Sequence, residues 1–142
     1  MRPEEHHDYL NGLTQMASAA SVRCGPSEVR AACFSPKSFA PLFCKAYHIK
    51  PSLLTLKESD SSLYDLLAAW LGDEPRGVTD GLCQLLHFRL GDAIQCYEVE
   101  NIGPLRDAIS SPHKYAPFYT TEDLFFAVFR DVAVCFIMGN FE

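Results

Sequence analysis

The side chains in this sequence with the most obvious chemical reach are its carboxylates. Asp92, Glu98, Glu100, Asp107, Glu122 and Asp123 follow one another through a region rich in turns and apolar runs, with Asp73, Glu74, Asp80 and Asp131 around them. Gathered on one side of a fold, such groups attract a basic partner and steer its approach. Dispersed, they are the polar punctuation of an ordinary soluble surface. The charge is lopsided along the chain. Residues 1–57 carry seven basic and four acidic side chains, a balance of +3, while residues 58–142 carry five basic and fourteen acidic ones, a balance of −9. The total of −6 argues against nucleic acid or an anionic membrane as a partner.

Other constellations offer less. His6 and His7 are adjacent, so on a helix they diverge by about 100° and do not share one ion. There is no Cys-x-x-Cys and no His-x-x-x-His pair, and the remaining spacings do not bring together the converging ligands that zinc needs. Six cysteines, at 24, 33, 44, 83, 96 and 135, stand mostly beside apolar residues and read as buried free thiols. A nucleophile needs a base within hydrogen-bond reach and a group that orients that base. His87 with Cys96 is the one pair that the expected strand geometry brings together. Glu98 and Glu100 lie two residues apart, on one face of a strand, but such pairs also occur on ordinary exposed strands. No Gly-x-Ser-x-Gly elbow, Gly-x-Gly-x-x-Gly loop or phosphate-binding loop is present, and no cofactor is implied.

The elements that must position these groups can be read from periodicity. Residues 4–20 predict a helix, with Tyr9, Leu10, Leu13, Met16, Ala17 and Ala20 at helical spacing and Glu4, Glu5 and Asp8 at its positive end. Cys24-Gly25-Pro26 breaks it, and residues 27–33 read either as a short helix or as a strand. A helix over 38–48 and a short strand over 53–56 follow. The clearest helix is 63–71, where Ser62 and Asp65 form a capping box and Gly72 stands at the C-terminal cap.

Residues 82–99 change period. Leu86, Phe88 and Leu90 alternate with His87 and Arg89, and Gly91-Asp92 suits a two-residue turn, so a hairpin is expected with Asp92 at its tip and His87 across from Cys96. The competing reading is a helix from Thr79 through Phe88. A short helix over 103–110 and a loop to Thr121 lead into a closing hairpin, 124–129 and 132–138, turning at Arg130-Asp131. One face of that hairpin carries Phe125, Ala127, Phe129, Val132, Val134 and Phe136, and the other Leu124, Phe126, Val128, Cys135 and Ile137. Two apolar faces need two covers. Helices supply one, and the other is either more of this chain or a partner, a second copy included.

The expected architecture is a single α+β domain spanning 1–142, with N-terminal helices packed on a mainly antiparallel sheet built from two C-terminal hairpins. The N-terminus lacks the basic start and apolar run of a signal peptide, and the longest apolar run, 132–138, is far short of the ~20 residues that span a bilayer, so a cytoplasmic protein is expected.

This combination of size, acidity, helices before an antiparallel sheet, and a closing hairpin of Phe125-Phe126-Ala127-Val128-Phe129 with Val134-Cys135-Phe136-Ile137 resembles bacterial immunity proteins that neutralise polymorphic toxins, including those of contact-dependent growth inhibition. The resemblance covers roughly the last 80 residues. It implies a non-enzymatic inhibitor that binds one cognate toxin domain; many such toxins are basic nucleases, whose active site an acidic surface would mask. The acidic residues named above rest on charge and position, not on a family motif. A secretion-type chaperone or another small homodimeric binding protein is the alternative.

Overall fold

The computed structural model describes residues 2–25, 27–110 and 119–141. Five helices surround one five-stranded antiparallel sheet. The helices are α1 (Pro3–Ala20), α2 (Phe39–Ala46), α3 (Leu63–Leu71), α4 (Val78–Leu90) and α5 (Gly103–Ser110), and a 3₁₀ turn spans Pro51–Leu53. The strands are β1 (Ser27–Phe34), β2 (Leu56–Glu58), β3 (Gln95–Val99), β4 (Tyr119–Val128) and β5 (Ala133–Phe141), in spatial order β1-β5-β4-β3-β2. This is a single-domain α+β fold, as expected. No helix among the described residues is long and apolar enough to cross a membrane.

The closing hairpin is the centre of the molecule. β4 and β5 pair from Val128↔Ala133 outward, and the Phe129 amide donates to the Val132 carbonyl at 2.8 Å across the Arg130-Asp131 turn. Its two faces divide as alternation requires. Phe125, Ala127, Phe129, Val132, Val134 and Phe136 pack against Leu10 and Ala17 of α1, Leu67 and Leu71 of α3 and Leu82 and Leu86 of α4. Leu124, Phe126, Cys135 and Ile137 pack against Phe43 and Cys44 of α2 and Leu105 and Ile109 of α5. Both covers therefore come from this chain, so neither apolar face calls for a partner.

Residues 27–34 form a strand, the second of the two readings for this stretch. As an edge strand, β1 would expose a row of unpaired amides. Helix α1 lies along that edge and supplies acceptors. Asn11 Oδ1 accepts from the Ala31 amide at 3.1 Å, and Ser18 Oγ accepts from the Val29 amide at 2.8 Å while donating to the Thr14 carbonyl at 2.7 Å. The buried stripe of α1 accordingly includes His6, Thr14 and Ser18, whereas Met16, expected in that stripe, is 72% exposed. Replacing Ser18 by alanine strands the buried Val29 N–H, and a loss of about 1–3 kcal/mol is expected in urea unfolding.

Residues 78–90 are helix α4, not the first arm of a hairpin. Thr79, Leu82 and Leu86 form its buried stripe. The apparent alternation came from Phe88, an apolar side chain that is 90% exposed on the solvent face. Gly91 (φ +80°) ends the helix, its amide donating to the His87 carbonyl at 2.8 Å, rather than opening a two-residue turn. The pairs Leu90–Ala93, Phe88–Gln95 and His87–Cys96 therefore do not form; β3 pairs with β4 and β2 instead. The sheet accordingly holds one hairpin and takes β1 and β2 from the N-terminal half. The strand expected over 53–56 begins at Leu56, because Pro51 starts a 3₁₀ turn. The loop expected up to Thr121 gives way to β4 at Tyr119, and its residues 111–118 lie outside the described residues. Helix α3 carries its cap as read, with the Asp65 amide donating to Ser62 Oγ at 3.1 Å.

Candidate functional site: an acidic end of the sheet

Strand direction decides which carboxylates meet. β3 ends where β4 begins, and β1 begins where β5 ends. Glu98 and Glu100 at the close of β3, and Glu122 and Asp123 at the start of β4, therefore share one end of the sheet. Glu28 of β1, opposite Gly139, joins them from the far side. Glu28 was not among the expected residues. No local signal marks it, since only the β1–β5 register brings it to this end.

The register between β4 and β5 shifts between Thr121 and Asp123, which inserts Glu122 as an extra residue. Thr121 is buried, while Glu122 and Asp123 are exposed. A network holds Glu122: Asn140 Nδ2 donates to its Oε1, and Ser27 Oγ donates to Asn140 Oδ1. Asp123 Oδ1 accepts from the Leu124 amide at 2.8 Å. Desolvation pushes the Asp123 carboxyl above its ordinary value, and Glu98 pushes the same way; the Leu124 N–H and Arg106 of α5 oppose them. Glu98 stands across from Lys57 of β2, and Glu100 is anchored by its amide, which donates to the Thr55 carbonyl at 3.0 Å. Arg30 lies 3.5 Å from Glu28.

The other two expected residues lie elsewhere. Asp92 follows α4, beyond the opposite end of β3, where its Oδ1 is 2.8 Å from His87 Nδ1. Asp107 lies on the exposed side of α5, the helix whose Leu105 and Ile109 cover the second face of the sheet.

His87, Asp92, Cys83 and Cys96 do converge, but around a different feature. They line a cavity of about 480 Å³ between α3, α4 and the start of β3, together with Ser59, Ser62 and Gln95. The His87 and Asp92 side chains are 66% and 89% exposed, which makes theirs a weak surface pair. Burial pushes both thiols up to about 11, with Asp80 adding to the effect at Cys83 and Glu98 at Cys96. An activated thiol needs the opposite shift. All six cysteines are free. Among the described residues, no group of three or more His, Cys, Asp or Glu side chains is arranged to hold a metal ion.

No family model matches this chain, and no curated protein or solved structure matches it either.

Proposed function

We propose that this chain is a protein-binding module, an inhibitor of the immunity-protein type, whose acidic sheet end receives a basic domain of its partner. One observation carries the reading: the gathering of Glu28, Glu98, Glu100, Glu122 and Asp123 at one end of the sheet, drawn from three strands. The upward shift of Asp123 supports it. Carboxylates that crowd one another lose some of that strain when a cation arrives, so a basic partner gains more here than at an isolated acid. The bulge at Glu122 and its bond to Asn140 hold one carboxylate in a fixed direction, which lowers the cost of ordering it on binding.

A homodimeric chaperone would need an apolar groove for an extended segment. Both apolar faces of the central hairpin are covered by the chain's own helices, which favours the inhibitor.

Affinity capture from the source cells tests the reading. Recovery of one folded, basic domain, released as salt is raised, is the expected result. Recovery of many unrelated extended segments, held regardless of salt, would support the chaperone and overturn the inhibitor.

A further inference from the structure

The junction of α1, α4 and the β4–β5 turn holds a side-chain cluster that the acidic end does not use. His6 is buried, at 4% exposure. Arg89 Nε donates to His6 Nδ1 at 3.1 Å, an Arg89 terminal nitrogen donates to the Glu5 carbonyl at 3.4 Å, and the guanidinium lies 4.1 Å from the centre of the Tyr9 ring. One arginine of α4 thus grips α1 at three consecutive sites. A cavity of about 150 Å³ sits beside the grip, lined by His6, Arg89, Leu90, Asp131 and Val132.

The chemistry of the first contact is one-directional. A guanidinium has donors and no acceptor, so the ring nitrogen it meets must carry a lone pair. The contact exists only while His6 is neutral. A proton on Nδ1 replaces an acceptor with a donor and sets two cations against each other in a buried site.

The geometry points to a pH-operated clasp, in which neutral His6 locks the first turns of α1 onto Arg89 and protonation of His6 releases them. The charged groups around His6 are Arg89 from α4, Asp131 from the β4–β5 turn, Glu5 from its own helix and the amino-terminal charge. Burial depresses the His6 titration below the ordinary 6.5, with Arg89 next, while Glu5 and Asp131 act in the opposite sense. The sign follows from these shifts. The released segment takes up a proton near 6.5 and the clasped one only at lower pH, so the clasp is at full strength above 6.5 and weakens as pH falls below it. Asp131 offers the protonated ring a carboxylate to turn toward, but that contact does not restore the link between α1 and α4.

Release has a defined consequence. Pro3 and Glu4 of α1 line a second cavity, of about 530 Å³, with Cys33, Phe34 and Ser35 at the end of the edge strand β1 and Leu42, Lys45 and Ala46 of α2. Asn11 and Ser18 hold α1 over Ala31 and Val29, farther along the strand. Acid therefore opens the Cys33–Phe34 end of the edge while the remainder stays shielded.

Hydrogen exchange of the full chain at pH 7.5 and 5.0, corrected for intrinsic exchange, tests this. Protection over residues 4–10 is expected to fall at least about tenfold at the lower pH, with protection in β4 and β5 unchanged. In His6→Gln the side-chain carbonyl still accepts from Arg89 but does not titrate, so the fall should vanish. In Arg89→Met the segment should already be loose at pH 7.5. A wild type whose protection does not change, a His6→Gln variant that falls as the wild type does, or an Arg89→Met variant as protected as the wild type at pH 7.5 would each overturn the clasp.

Discussion

Phe126→Ala is expected to lower the unfolding free energy by about 3–5 kcal/mol, measured by denaturant titration. Phe126 is fully buried on β4, the middle strand of the sheet. Its ring meets Phe43 edge-on at 5.1 Å and Phe39 at 5.2 Å, joining α2 to the sheet. β4 is held by β5 on one side and β3 on the other, so the backbone has little freedom to close the cavity left behind. A typical domain has only about 5–15 kcal/mol of stability, so this one truncation should consume a large share of it. Phe88→Ala is the matched control. The same atoms are removed, but from a side chain that is 90% exposed, and a change within about 0.5 kcal/mol is expected.

The combined substitution Glu98→Lys, Glu100→Lys, Glu122→Lys and Asp123→Lys is expected to weaken binding of the captured partner by on the order of 10²-fold or more, read by calorimetric titration. Facing like charges across an interface costs several kcal/mol. Asp123 also accepts from the Leu124 amide, so the thermal melt of the variant must be recorded beside its affinity. Asp92→Lys supplies the contrast. It changes the same kind of charge beyond the opposite end of β3 and should leave affinity unchanged within about twofold.

The elements that sequence reading located best were those whose signal was local and redundant. In the closing hairpin, alternation through Phe125, Phe126 and Ala127 assigned the two faces correctly, because a strand buried on both sides leaves no polar residue to confuse the period. Helix α3 carried its own capping pair, Ser62 and Asp65. Helix α4 was misread because Leu85 and Phe88 expose apolar surface, which erased the polar face that marks a surface helix. Glycine compounded this, since Gly91 serves a helix cap and a hairpin turn equally well. The shielding role of α1 was hidden for the opposite reason: polar His6, Thr14 and Ser18 are buried because part of this helix answers strand amides rather than an apolar core.

The candidate site was legible only in part. Glu98, Glu100, Glu122 and Asp123 gather because the strands that bear them are neighbours. The position of Asp92 depended on a turn that does not form. Glu28 lies about seventy residues before Glu98 and meets the others only through the register of β1 with β5.

The rate at which the captured partner associates, followed by stopped-flow fluorescence across ionic strength, tests the electrostatic account of the acidic sheet end most directly. For the wild type, the rate should fall steeply as salt rises from about 50 to 500 mM, while the four-lysine variant associates slowly at every salt concentration. Equal rates for the two proteins, or a wild-type rate indifferent to salt, would contradict it.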